Sequence, residues 1–162
     1  MKSVLTLMVI GGLASAATHE ATDIKSLIAA CENAAPGDEI VIAKGVHTLK
    51  DKSRIHIKDR PGPIIVRGAT GDPDDVIIEG LGQDNETVQV IFLLTGSPKW
   101  TFRDLTTRKS YFHGFKFNTS STACVLKNVV MRDHGESGVK GTSDPDTDAY
   151  PDDLLVENCD IG

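Results

Sequence analysis

The chain is short of cysteine, short of positive charge, and has a helical pattern in only one place. Its three cysteines, Cys31, Cys124 and Cys159, stand far apart. An odd number at wide spacing, with no Cys-x-x-Cys, excludes a zinc ribbon or thioredoxin motif and gives no disulfide framework. They read as buried thiols packed as small hydrophobes. Lys and Arg number 17 against 23 Asp and Glu, a net charge of −6. A general nucleic-acid binder needs a basic face, so no nucleic-acid partner is expected. Of the 162 residues, 40% are hydrophobic and 25% charged. That balance sets aside wholesale disorder, collagen and multi-span membrane classes, and the length allows one domain with a core.

The one long apolar run is at the N-terminus. Lys2 gives a positive start, Val4 to Leu13 is interrupted only by Thr6 and two glycines, and Ala14-Ser15-Ala16 has the small-x-small form of a signal-peptidase site. The run is too short for a comfortable membrane span. No Cys follows the cut, which argues against a bacterial lipid anchor. Residues 1–16 therefore read as a cleaved signal peptide and 17–162 as the mature domain. The protein is expected to be secreted, in the periplasm or outside the cell, with no stable membrane span after cleavage.

Residues 22–35 read as one amphipathic helix. Thr22 or Asp23 can cap it, Ile24, Leu27, Ile28 and Cys31 share a face, and Pro36-Gly37 ends it. Short β-branched runs follow: Ile40–Ile42, Ile55–Ile57, Ile64–Val66, Val76–Ile78 and Val90–Leu94, each bounded by Gly, Pro, Asp or Ser. The second half repeats. Phe102-Arg103-Asp104-Leu105 aligns with Leu126-Lys127-Asn128-Val129, 24 residues on, and with Val156-Glu157-Asn158-Cys159 after a further 30. The same 24-residue offset maps Arg108 onto Arg132 and Gly114-Phe115-Lys116 onto Gly138-Val139-Lys140. The longer second interval places an insertion in the loop 142–153. Repetition at this period with short strands signals a β-solenoid. Equivalent residues would stack about 4.8 Å apart: Phe102, Leu126 and Val156 in one apolar stack, Leu105, Val129 and Cys159 in another. Asn128 and Asn158 would stack at a bend, and the helix would cover the open end of the first coil.

The order of these features resembles a known family. A signal is followed by a helix, then Pro36-Gly37-Asp38-Glu39-Ile40-Val41-Ile42 and Gly45-Val46-His47, then Gly62-Pro63-Ile64-Ile65-Val66-Arg67-Gly68, and then the repeats. This looks like the start of a secreted right-handed parallel β-helix protein of the pectin-lyase-like superfamily. The Pro-Gly-Asp turn is similar to that of the alginate lyase and chondroitinase B branch. The resemblance covers residues 22–162. It implies an all-β, right-handed parallel β-helix of roughly five coils with a short N-terminal capping helix. Family members usually run for more coils than end here at Gly162, so the chain reads as a C-terminally truncated member whose uncapped last coil is expected to self-associate.

The resemblance also implies chemistry. Lyases of this superfamily cleave acidic polysaccharide by β-elimination: a cation neutralises the uronate carboxylate, and a Lys, Arg or His takes the acidified proton beside it. A cation next to a lysine favours the neutral, basic form. On that logic Lys140 or Lys116 is the base, Arg132 is the carboxylate partner, His134 is a further catalytic candidate, and Arg108 and His113 bind substrate. Asp133, Glu136 and Asp144 are oxygen donors for calcium. No paired-aspartate arrangement of the related pectin glycosidases is present, and the Asp-rich turns do not match an EF-hand. Activity stays open between a secreted polysaccharide lyase, a non-catalytic glycan-binding or adhesion module, and an inactive truncated remnant, because one solenoid hosts many functions.

Overall fold

The computed structural model of the protein describes residues 15–147 and 149–162. The apolar run expected to be a signal peptide lies outside the described residues, apart from Ser15 and Ala16, which are exposed. In chain order the elements are β1 (Thr18–Ala21), α1 (Ile24–Asn33), β2 (Glu39–Ile42), β3 (Gly45–Thr48), β4 (Ile55–Lys58), β5 (Ile64–Gly68) and β6 (Val76–Glu79). They continue as β7 (Val90–Thr95), β8 (Trp100–Arg108), β9 (His113–Asn118), β10 (Val125–Arg132), β11 (Ser137–Thr142), β12 (Leu155–Glu157) and β13 (Asp160–Ile161). Among the described residues the chain is thus all-β but for α1 and one short 3-10 turn at Pro73–Asp75. Among the described residues no helix is long and apolar enough to cross a membrane.

The helix forms where its periodicity placed it, two residues shorter at each end. Asp23 is the cap: its carboxylate accepts from Ser26 N at 2.7 Å, and Ser26 Oγ accepts from Asp23 N at 3.0 Å. Pro36 disfavours helical backbone at Ala35, and the helix ends at Asn33. Leu27, Ala30 and Cys31 are buried against the strands.

The strands make two parallel sheets. The nine-stranded sheet runs β1-β2-β5-β8-β10-β12, with β13 on β10 and with β6 joining β3 to β8; the four-stranded sheet runs β11-β9-β7-β4. The 24-residue offset is the pairing register. Leu126 faces Phe102 and Val129 faces Leu105 in one sheet, while Val139 faces Phe115 and Lys140 faces Lys116 in the other. Val156 continues the first stack beside Leu126 and is 41% exposed. Ile40, Val66, Phe102 and Leu126 are successive partners and are all buried. Facing them, Phe92 stacks on Phe115 at 5.2 Å, and Phe102 closes on Phe92 at 4.9 Å and on Phe115 at 5.1 Å. Cys31 and Cys124 are buried free thiols, and burial pushes Cys31 up to about 12. Cys159 is a half-buried free thiol that packs on the core beside Leu126 O.

The long sheet bends where Asp104, Asn128 and Asn158 stack. Their φ values are 57°, 52° and 51°, a left-handed conformation that short Asx side chains tolerate. Asn128 Nδ2 donates to Asp104 Oδ1 at 2.9 Å, and Asn158 Nδ2 donates to Asn128 Oδ1 at 3.4 Å. Asn128→Ala removes these bonds and places a Cβ-only residue in left-handed backbone, so we expect a loss of about 2–3 kcal/mol in urea unfolding. Asn128→Gly keeps the backbone and should lose clearly less. Equal losses would mean that the backbone conformation is not part of the constraint.

Candidate functional site

Alternation decides which side chains leave the short sheet. Ile55, Ile57, Phe92, Leu94, Phe115 and Phe117 are buried in the core. The residues between them therefore face out. Register places His56, Leu93, Lys116 and Lys140 in one outward column, and Lys58, Thr95, Asn118 and Thr142 in the next. Adjacent strands lie about 4.8 Å apart, so Lys116 and Lys140 are neighbours as their spacing predicts. The four strands of this sheet contain no Asp or Glu. Lys58, Lys116 and Lys140 have no ion-pair partner among the described residues.

The long sheet treats its cations differently. Arg67 pairs with Glu39 at 2.7 Å, Arg103 with Asp104, Lys127 with Glu157 at 2.9 Å, and Arg108 with Glu79 at 2.8 Å. Arg132 pairs with Asp160. Arg108 and Arg132 are register partners as expected, but on β8 and β10 of the long sheet, not with the Lys116–Lys140 pair. Their charges are already met by carboxylates.

His113 begins β9 three residues before Lys116 and is paired in register with Val90 and Ser137 rather than with the lysines. Its Nδ1 is 3.0 Å from Ser137 Oγ on the neighbouring strand, and its Nε2 is 3.7 Å from Glu136 Oε2, beyond hydrogen-bond reach. Burial lowers the imidazole pKa, and the Lys116 and Lys140 ammonium groups lower it further against the opposing pull of Glu136. The net effect favours the neutral ring. Beside it a groove of about 370 Å³ is lined by Gln83, Asp84, Tyr111, Phe112, Gly135 and Glu136. Tyr111 and Phe112 meet edge-on at 4.5 Å in that groove. At the far end of the sheet, Asn118 Oδ1 and Thr142 Oγ1 are buried without a hydrogen-bond partner.

His134 lies elsewhere. Its Nδ1 is 2.7 Å from Ser110 Oγ and its Nε2 is 3.2 Å from Thr107 Oγ1. Gly114 makes room for it, since a Cβ there would sit 2.7 Å from His134 Nε2. Both ring nitrogens are engaged inside the turn, which is a structural place. The three expected calcium donors are also separate. Asp133 is an exposed corner residue at φ 55°, Glu136 lies beside His113, and Asp144 accepts from Asp146 N at 3.0 Å in its own loop. Among the described residues no three His, Cys, Asp or Glu side chains come together as a metal site. Sequence reasoning missed His56, Lys58, Ser137 and the Tyr111–Phe112 pair. The first two were visible in Ile55-His56-Ile57-Lys58, which alternates like Phe115-Lys116-Phe117-Asn118.

No family model matches the chain. Comparison with curated proteins finds no match. Among solved structures, the chain is similar to an alginate lyase from Paenibacillus sp. str. FPU-7, with a TM-score of 0.61 and 17% identity. The likeness covers 88% of this chain and 57% of that one, so the chain spans little more than half of the lyase's length. The protein shares the fold of a polysaccharide lyase, and the likeness is one of fold.

The buried His134 has a consequence for acid stability. Burial depresses its pKa to about 4 from an ordinary 6.5. A group whose folded value is depressed stabilises the fold fully above its unfolded value, and that stability is lost as pH falls. The loss should be about 2–3 kcal/mol between roughly pH 6.5 and pH 4. His56 and His113, also depressed, act in the same sense. Urea unfolding across that range should show the decline. His134→Gln should be less stable at neutral pH but flatter below it; an unchanged slope would show that His134 is not its source.

Proposed function

We propose that the chain is an exported right-handed parallel β-helix whose short sheet binds acidic polysaccharide, and that it cleaves the polymer by β-elimination. One observation carries this reading: in a protein of net charge −6, the cations of this sheet stand without carboxylates, while every strand cation of the long sheet is paired. Unopposed ammonium groups at strand spacing suit a polymer that repeats its carboxylates. The fold shared with an alginate lyase supports a uronate polymer as substrate. In the groove, the Tyr111 and Phe112 rings offer a surface against which a sugar ring can lie, beside the polar side chains of Gln83, Asp84 and Glu136.

In this mechanism Lys116 and Lys140 neutralise uronate carboxylate, which acidifies the proton on the adjacent carbon. His113 takes that proton. With Nδ1–H donated to Ser137, Nε2 holds the free lone pair on the side of Glu136 and the groove. The electrons of the broken C–H bond form the C=C bond as the glycosidic oxygen leaves the β-carbon. That oxygen takes up a proton, giving a new chain end and an unsaturated uronate. No step is routed through a metal.

A second reading is binding without cleavage on the same face. It is favoured by the exposure of His113, which is only 5%. Incubation with alginate, pectate and chondroitin sulfate, with calcium or with chelator, separates the two when absorbance is followed near about 235 nm, where unsaturated uronates absorb. The expected result is a rise with one polymer that falls by about 100-fold or more in His113→Ala. Lys116→Gln and Lys140→Gln should each weaken polymer binding by about 2–5-fold, less as salt rises. Lys127→Gln, already paired on the long sheet, should change neither. A flat trace with salt-sensitive, Lys140-dependent binding would establish the binding module, and no binding would end both readings.

A further inference from the structure

The Pro36-Gly37-Asp38 turn has a role that polymer cleavage does not use. Asp38 precedes β2, and its side chain is 7% exposed. One carboxylate oxygen, Oδ2, accepts from Ala35 N at 2.9 Å and lies 2.8 Å from His19 Nε2. The other, Oδ1, accepts from Ala17 N at 2.8 Å. These bonds, Ala35 N first, then His19, then Ala17 N, hold the carboxylate down to about 2. No Lys or Arg pairs with it among the described residues. A buried carboxylate thus has one oxygen aimed at the backbone nitrogen of Ala17. That nitrogen directly follows Ala14-Ser15-Ala16, the small-x-small segment. Ser15, Ala16 and Ala17 are exposed and belong to no strand, so a peptidase can reach the bond without opening β1.

We propose that the Ala16–Ala17 bond is a processing site and that Asp38 is the seat of the α-ammonium group its cleavage creates. Hydrolysis by an export peptidase breaks the C–N bond. Water gives its hydroxyl to the Ala16 carbonyl carbon and a hydrogen to the Ala17 nitrogen. The free amine then takes up one more proton at neutral pH, since α-amines titrate near about 8. A neutral amide donor to Asp38 Oδ1 becomes a cationic one without moving. Charge-assisted bonds of this kind are roughly twice as strong as neutral ones. The pair would fasten the start of β1 to the turn before β2, in the register Thr18 to Glu39 that the sheet already adopts. It does so beside α1, so processing completes the end of the sheet that the helix covers.

The test begins with export of the full chain from a bacterial host and mass spectrometry of the mature N-terminus, which should be Ala17. A chain starting at Ala17 should then melt about 2–4 °C above one starting at Ser15, because only the first places its amine on Asp38. Asp38→Asn should abolish the difference. Should that variant fail to fold, competitive acetylation of the α-amine against pH decides instead. The Ala17 amine should titrate above the ordinary value of about 8 in the native chain and at that value in urea. A mature N-terminus elsewhere, equal melting temperatures of the two chains, or an ordinary native titration would each overturn the proposal.

Discussion

Parallel pairing in register is the constraint on which the rest depends. It sets each residue about 4.8 Å from its equivalent on the next strand. Like therefore meets like. For apolar residues this is favourable, and the buried succession Ile40, Val66, Phe102 and Leu126 is its product. For charged residues it is unfavourable, because Arg67, Arg103 and Lys127 are brought into one column. The long sheet resolves this with carboxylates: Glu39 holds Arg67 and reaches Arg103 at 3.5 Å, and Glu157 holds Lys127. The short sheet does not resolve it. Lys116 beside Lys140 is a repulsion left in place, and the reading of that face as a seat for polyanion rests on this contrast.

The same constraint organises the corners. A bend must recur at matching positions or the register breaks. Asp104, Asn128 and Asn158 take left-handed φ together, as do Lys109 and Asp133, and Lys99, Ala123 and Asp153. Only the first set adds a side-chain ladder. Space at corners is shared in the same way. His134 fills the room that Gly114 leaves and hydrogen-bonds Thr107 and Ser110, so a residue that looks like chemistry in the sequence is used to close a turn.

The sequence was legible where periodicity speaks. The 24-residue offset yielded the pairings of Phe102, Arg108, Phe115 and Lys116 residue by residue, because register is that offset. Five β-branched runs were visible and all five are strands. β1 was not: Thr18-His19-Glu20-Ala21 has neither β-branched density nor alternation, and it is held by β2 and by Asp38. The site was legible only in part. Offsets show which residues are neighbours along a column but not which sheet carries the column, so Arg108 and Arg132 were grouped with lysines of the other sheet. Glu79 and Asp160, which occupy those arginines, lie in segments with no visible tie to them.

The contrast between the sheets also bears on stability and function together. Pairing every cation on one face and none on the other contributes little to folding, because exposed pairs stabilise by about 0–1 kcal/mol each. What it changes is the field outside the protein. Paired columns cancel within a few ångströms, whereas unopposed lysines act over a distance comparable to the Debye length of about 8 Å in physiological salt. If the proposed function holds, a net-negative protein would repel a polyanion in general and attract it along this one stripe, orienting the polymer before contact. On the proposed reading, the groove with Tyr111 and Phe112 lies beside His113, three residues along β9 from Lys116, and burial with the two ammonium groups lowers that imidazole's pKa against the pull of Glu136.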